Sequence, residues 1–289
     1  LSLCAQTNNP NFTNAPPGTN AMPLASVVVI GHRQPIAEGA VLAPTPEVRA
    51  RARDTASLLG QVPGAAVVRN GPLTGIAQVR GLSGDRVRVL VDGMTITPAC
   101  PNHMDPPLHY ASPSSVHTLT VLAGITPVSQ GGDSIGGTVI TESAPPRFAT
   151  NDHALWSGEA GSFYRSSDDG YGFNGALGVA NQNWSGAYQG SWQTADDLRF
   201  PGGRVRDTGF DETQQHVGRL ATRTKHGVWE ANGGVGRTRD AGTPALPMDM
   251  IEDDSWRAGL RHTGEYDFGE LEGRVAIHSI DHLMDNYSL

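Results

Sequence analysis

The chain has 289 residues, of which 36 are Gly and 20 are Pro, and only 17% are charged. This composition suits a turn-rich β protein better than a helical bundle. The formal net charge is -8 and Lys225 is the only lysine, so the sequence lacks the basic surface that a nucleic-acid partner requires. No apolar run approaches the roughly 18 residues of a membrane-spanning helix, so a membrane-spanning role would have to rest on strands.

The first residues resemble the end of a secretory signal. Residues 1–5 predict a signal-peptide remnant that is cleaved near Ala5, with Cys4 lost in processing. A lipoprotein anchor on Cys4 is the alternative, although Leu3 is bulkier than the small residue a lipobox places there. Residues 6–25 are rich in Asn, Pro, Thr and Ala and almost uncharged, which predicts a flexible leader. We therefore expect an exported chain that is incomplete at its N-terminus.

A short β-prone segment follows the leader. It reads Ser26-Val27-Val28-Val29-Ile30 and ends at Gly31. Such a segment could pair with the exposed sheet edge of another protein, or it could be the first strand of the domain that follows. The residues alone leave both interpretations open.

Residues 32–147 predict a small α+β domain. From about residue 48 to residue 145, short apolar runs alternate with Gly and Pro, as in a compact mixed domain. Residues 55–60 predict a helical turn that glycine ends, and residues 87–91 predict a strand that turns at the Asp-Gly pair 92–93.

After this domain the pattern changes to segments of about ten residues with period-two alternation, the signature of barrel strands. In residues 171–179 the odd positions are Tyr, Phe, Gly, Leu and Val, while the even positions are Gly, Asn and Ala. Residues 184–192 repeat this pattern with Trp and Tyr. Further predicted strands are 153–165, 213–224, 227–237, 255–265 and 269–284, with one longer loop around 195–211.

One face of these segments is apolar and the other is small and polar. A soluble β-sandwich would carry more charge on its outer face, so the pattern favours a transmembrane antiparallel β-barrel. A barrel wide enough to hold a plugging domain needs about 22 strands. We therefore expect residues 148–289 to supply about the first seven strands, with the remainder beyond Leu289.

Three blocks, in order, resemble the plug of TonB-dependent outer-membrane receptors. They are Gly-Ile-Ala-Gln-Val-Arg-Gly-Leu at 75–82, Arg-Val-Arg-Val-Leu-Val-Asp-Gly at 86–93 and Gly-Gly-Asp-Ser-Ile-Gly-Gly-Thr-Val-Ile at 131–140. The resemblance covers most of residues 26–147. It implies a transport receptor in the bacterial outer membrane, in contact with outer-membrane lipid, with its plug facing the periplasm. It also implies that residues 26–31 resemble the Ton box, with TonB of the TonB-ExbB-ExbD complex as the partner of this segment.

Within that family, Cys100-Pro101-Asn102-His103-Met104 resembles the CxxxM motif of the OprC/NosA-type copper receptors. Those receptors pair the motif with an HxM sequence in the barrel, and His282-Leu283-Met284 has that form. The resemblance therefore implies a metal site formed by Cys100, Met104, His282 and Met284. It also implies that a copper ion, or a copper chelate, is the transported ligand.

The chemistry of these side chains agrees with copper. Thiolate and thioether donors favour Cu(I) and imidazole accepts either copper state, whereas Mg, Ca and Mn prefer oxygen donors. Zinc competes, but thioethers are poor zinc ligands. Cys100 and Met104 are four residues apart, so a helical turn that begins at Pro101 would project both sulfurs from one face. His282 and Met284 are two apart, so an unbroken strand would direct both toward the lumen and the plug.

Three further residues are possible secondary contacts. Met248 and Met250 lie in a predicted loop, where they could receive copper or simply fill the loop. His103 lies inside the CxxxM motif, but in a helical turn it points away from both sulfurs. His278 shares the predicted lumenal face of the last strand, as a supporting residue or as an ordinary polar side chain.

Cys100 could instead form a disulfide, with Cys4 or with a cysteine beyond the C-terminal residue.

The sequence also allows several alternative functions to be weighed against copper transport. The sequence has no HExxH, GxSxG, Walker or Rossmann motif, so we do not expect an enzyme. The main alternative is the same receptor fold importing a siderophore, cobalamin or another metal chelate, with Cys100 structural. A passive porin or an adhesin would need neither a plug nor a Ton box.

Overall fold

The computed structural model describes residues 39–130, 132 and 134–286. The predicted signal remnant, leader and Ton box lie outside these residues, and so does Cys4. The described residues belong to one compact unit, Pro35–Leu289. Among them, no helix is long and apolar enough to cross a membrane.

The plug domain combines short strands with helical turns. Its strands are β1 Gly39–Leu42, β2 Ala65–Arg69, β3 Gly75–Val79, β4 Leu82–Ser83, β5 Val87–Val91, β6 Met94–Thr95, β7 Thr118–Ala123 and β8 Gly137–Glu142. Its helical elements are α1 Pro46–Arg51 and 3-10 turns at Thr55–Gln61, Gly84–Arg86, Pro107–Tyr110, Pro113–Ser115 and Val128–Gln130. One sheet has the order β1-β7-β8-β5-β6, in which β5 and β8 are parallel, and β2, β3 and β4 form another. The predicted α+β class is confirmed.

Local sequence explains several of these elements. Asp92 and Gly93 have φ angles of 50° and 72°, which is the backbone of a tight hairpin turn, so the predicted strand and turn at 87–93 are confirmed. Asp54 caps the 3-10 turn by accepting a hydrogen bond from Ser57 N at 3.0 Å. That turn runs to Gln61, so the prediction that Gly60 ends it is wrong.

The hydrophobic core of the plug domain lies between its sheets and its helical turns. Leu59, Val79, Leu119 and Val139 are fully buried at its centre. Ile280, from the last strand of the chain, also packs against this core. The core therefore extends from the plug domain to the strands that follow it.

The remaining long strands form one sheet, which we call the outer sheet. They are β9 Leu155–Arg165, β10 Gly170–Ala180, β11 Trp184–Ala195, β14 Phe210–Thr224, β15 Gly227–Ala241, β16 Asp249–Tyr266 and β17 Gly269–Asp285. Every neighbouring pair is antiparallel, in the order β9-β10-β11-β14-β15-β16-β17. The seven strands predicted from alternation are confirmed in the described residues. The predicted loop at 195–211 contains a small hairpin, β12 Leu198–Phe200 and β13 Gly203–Val205.

The two faces of the outer sheet differ in chemistry. On the outward face, Leu177, Leu220 and Val275 are 69%, 67% and 75% exposed. The inward face carries small and polar side chains that contact the plug domain. An exposed apolar face with a polar interior is the reverse of a soluble sandwich and is typical of a transmembrane barrel. The structure thus confirms an α+β domain followed by seven antiparallel strands whose outward face is apolar.

Inward-facing amide and guanidinium groups attach the outer sheet to the plug domain. Gln193 Nε2 donates to Arg53 O at 2.8 Å and Gln215 Nε2 donates to His109 O at 2.6 Å. Arg257 Nη1 donates to Tyr110 O. These bonds satisfy backbone carbonyls that would otherwise be buried without partners. The bonds from Gln215 and Arg257 hold the plug segment around residue 110 against β14 and β16.

Candidate metal centre

Cys100 lies in the plug segment between β6 and the 3-10 turn Pro107–Tyr110. Asp105, which is fully buried, organises this segment. Its Oδ2 accepts a hydrogen bond from Ala99 N at 2.6 Å, and its Oδ1 accepts one from Cys100 N at 2.9 Å. The carboxylate therefore fixes the backbone that carries the thiol.

The CxxxM motif forms a single turn rather than the predicted helical turn. His103 N donates to Cys100 O at 3.1 Å, but His103 has a φ of 54°, a left-handed conformation from which a right-handed helix cannot continue. Met104 is buried, with 1% of its surface exposed. The ring of His103 lies on another side of the turn, with its Nε2 3.7 Å from Asp85 Oδ1.

His282 lies on β17 and faces the plug domain. Two other even-numbered residues of this strand do the same: Ile280 packs on the plug core, and His278 Nε2 accepts a hydrogen bond from Thr97 N at 3.4 Å. The irregularity that could have reversed the face lies in β16, between Met250 and Glu252, and not in β17. The predicted lumenal face of this strand is confirmed.

The fold brings Cys100 and His282 together. The thiol of Cys100, a carboxylate oxygen of Asp105 and a ring nitrogen of His282 all lie within 4.8 Å of one another. The two residues are far apart in sequence and were predicted from separate motifs. The sequence did not predict Asp105, although its position directly after Met104 was the available signal, because an acidic residue in a loop usually means solvent exposure.

Met284, which ends the HxM sequence, lies beside Met250 of the neighbouring strand. Met284 packs against a buried cluster that consists of Leu73, Ala195, Phe210, Ala241 and Met250, and it is the register partner of Met250. β16 begins at Asp249, so the prediction that Met250 lies in a loop is wrong: it is a fully buried strand residue. Met248 precedes the strand and is half-buried. Its carbonyl accepts a hydrogen bond from the Thr243 hydroxyl.

Residues 44–138 match the family model described as TonB-dependent Receptor Plug Domain. Over these residues, the chain is similar to the plug domains of TonB-dependent receptors. The whole fold is similar to that of the copper transporter OprC, with a TM-score of 0.78 and 26% identity over 86% of this chain. The chain therefore resembles OprC in fold over most of its length.

Two receptors for other cargo share the fold. The siderophore receptor PirA from Pseudomonas aeruginosa has a TM-score of 0.60 and 17% identity over 87% of this chain. The FrpB iron transporter from Neisseria meningitidis has a TM-score of 0.62 and 14% identity over 85%. This chain spans 38%, 42% and 40% of OprC, PirA and FrpB, respectively. Comparison with curated protein sequences gives no match.

A hydrogen-bonded chain connects the plug domain to the barrel wall beside the thiol. The Tyr110 hydroxyl lies 2.8 Å from Asp105 Oδ2, in the plug domain, and 2.9 Å from Asp253 Oδ2, on β16. Burial, together with these two carboxylates, raises the pKa of Tyr110, so the phenol keeps its proton and donates to one carboxylate at a time. Asp253 Oδ2 also lies 2.8 Å from His282 Nδ1. The sequence did not predict roles for Tyr110 and Asp253, because these roles depend on how the plug domain is positioned against the barrel strands.

This arrangement presents one sulfur, one ring nitrogen and one carboxylate oxygen to a common point. The side chain of His282 is 4% exposed, and its Nε2 has no hydrogen-bond partner among the described residues. A buried nitrogen without a partner is costly unless a ligand completes it. Both oxygens of Asp105 accept protein hydrogen bonds, so this carboxylate shapes the segment as well as facing the site. A thiolate with an imidazole is a donor pair that copper and zinc both accept.

Proposed function

We propose that this chain belongs to a TonB-dependent outer-membrane receptor that imports copper. The metal is held between plug and barrel by Cys100, Met104, His282 and Met284. The observation that carries this proposal is the convergence of the Cys100 thiol and a ring nitrogen of His282 within 4.8 Å, with Asp105 beside them. The similarity to the copper transporter OprC supports the same cargo.

The size and burial of the site favour a bare ion over an organic chelate. Donor atoms within 4.8 Å of one another suit a single ion, which the protein surrounds directly. Met104 and Asp105 are buried, so a siderophore-sized ligand could not contact these two side chains without displacing the plug segment. Thiolate and thioether donors favour the Cu(I) state.

The outer sheet supports a location in the outer membrane. Its outward face carries exposed Trp156, Trp184 and Trp229 at the end where tight turns join the strands. Aromatic residues at the border of an apolar band are typical of barrels in lipid, and short turns usually face the periplasm. Two of the connections at the other end, 196–209 and 242–248, are longer. We infer that Cys100 and His282 lie toward the extracellular side, and that residues 26–30 form the segment that pairs with TonB.

Copper binding by the full-length receptor tests the proposal. The native protein should bind Cu(I) in a one-to-one ratio, whereas Cys100→Ser and His282→Ala should each lose more affinity than the roughly 10–100-fold typical of a supporting residue. His226→Ala is the matched control, because His226 lies exposed in the turn between β14 and β15. Equal copper content in the native protein and Cys100→Ser would refute the site. Binding of a ferric chelate unaffected by Cys100→Ser, without copper binding, would establish the siderophore alternative instead.

A further inference from the structure

Asp253 is a buried carboxylate that faces the proposed metal site without belonging to its motifs. Its side chain is 2% exposed. It lies on β16 directly opposite His282 in the strand register, and its Oδ2 is 2.8 Å from His282 Nδ1. The pair is therefore built into the barrel wall and does not depend on a flexible loop.

The contact determines which nitrogen of His282 can bind a metal. A carboxylate accepts hydrogen bonds, so the proton of a neutral imidazole resides on Nδ1 in this pair. Nε2 then carries the free lone pair, and it is the buried atom without a hydrogen-bond partner in the described part of the chain. With the other tautomer, Nδ1 would face a carboxylate with no proton between them, and a buried N–H would point at the site.

Asp253 is itself held from the plug side. The Tyr110 hydroxyl lies 2.9 Å from its Oδ2, and His109 Nε2 lies 3.7 Å from its Oδ1. Both residues belong to the 3-10 turn Pro107–Tyr110. The carboxylate therefore cannot rotate away from His282 without losing contacts to the plug domain, and a fixed carboxylate gives the imidazole a fixed orientation.

We propose that Asp253 is a positioning residue for metal binding: it holds His282 in the Nδ1–H tautomer and presents Nε2 to the ion beside Cys100. This inference rests on the proposed copper function. A metal-bound histidine commonly donates its other nitrogen to a carboxylate, and loss of that partner typically costs about 10–100-fold in metal affinity.

The first experiment compares Cu(I) binding by the full-length receptor and its variants. Asp253→Ala should weaken binding about 10–100-fold, and the imidazole contribution to the X-ray absorption spectrum of the bound copper should decrease. Asp253→Asn keeps an acceptor oxygen for Nδ1 and should retain that contribution. Asp254→Asn is the control, since the neighbouring Asp254 pairs with Arg239 at 2.8 Å on the opposite face of the strand, and it should bind as the native protein does.

Two results of this comparison would overturn the inference. One is native affinity in Asp253→Ala, and the other is weakened binding with the imidazole contribution unchanged, which would mark a purely structural role. Absence of copper binding by the native receptor would instead refute the proposed function itself.

A second measurement needs no variant at Asp253 and no copper. Nitrogen-15 NMR of the histidine-labelled, metal-free receptor reports the tautomer of His282, whose signal is assigned by its loss in His282→Gln. The Nδ1–H form supports the inference. The Nε2–H form would overturn it even if the receptor binds copper.

Discussion

The substitution Tyr110→Phe isolates the bond that joins the plug domain to the barrel wall. It removes one hydroxyl and leaves the ring, so the packing of this buried side chain, which is 4% exposed, is nearly conserved. In the variant, Asp105 and Asp253 remain buried and lose a shared donor that lies 2.8 and 2.9 Å from their oxygens.

The expected loss of folding free energy follows from the single proton of the Tyr110 hydroxyl. The hydroxyl donates to one carboxylate at a time, so one hydrogen bond to a charged group is lost, worth about 1.5–3 kcal/mol. For a domain with a urea slope of about 2 kcal/mol per molar, this corresponds to a midpoint lowered by roughly 1 M urea. The plug domain should therefore unfold at a clearly lower denaturant concentration in the variant.

Alkylation of Cys100 provides the assay. Cys100 is partly buried in the folded plug domain, so a brief pulse of a maleimide at increasing urea, in a Cys4→Ser background, labels it to a greater extent once this segment has opened. Tyr171→Phe is the control, because Tyr171 lies on the outward face and is 46% exposed. If Tyr110→Phe shifts the labelling midpoint no more than Tyr171→Phe does, the hydroxyl does not hold plug and wall together.

Two more predictions concern the turn at Gly93 and the segment proposed to pair with TonB. Gly93 has a φ of 72° and a Cβ there would lie 0.9 Å from Arg274 Nη1, whereas Gly64 has a φ of 80° and open space around it. Gly64→Ala should therefore lower the free energy of unfolding only by the left-handed backbone strain of about 1–2 kcal/mol. Gly93→Ala should lower it further because the Arg274 side chain must also move. Equal urea midpoints for the two variants would contradict this prediction. Deletion of residues 26–31 should abolish copper accumulation by cells while Cu(I) binding by the purified receptor stays native; continued accumulation would argue against energy coupling through this segment.

Much of the fold follows from local patterns in the sequence. Alternation places the long strands within four residues of their observed bounds, except that β16 begins six residues before the predicted start. A strand that separates an apolar exterior from a polar interior needs period two along its length. The turn at Asp92-Gly93 is equally local, since few residue pairs adopt two positive φ angles. The errors arise where neighbouring elements override the local pattern. The strand β16 extends to Met250 because pairing with Met284 buries the Met250 side chain. The turn after Cys100 does not become a helix because Asp105 accepts hydrogen bonds from the backbone amides of Ala99 and Cys100.

The sequence by itself determined the donor types, the two motifs and the inward face of the last strand. Each of these is encoded by residue identity and spacing along one segment. Only the tertiary structure decided that Cys100 and His282 meet, that Asp105 faces the same point, and that Tyr110 and Asp253 connect the two halves. Those contacts depend on how the plug domain docks against β16 and β17, and docking is the sum of many weak packing and hydrogen-bond terms spread over both domains, which no single segment encodes.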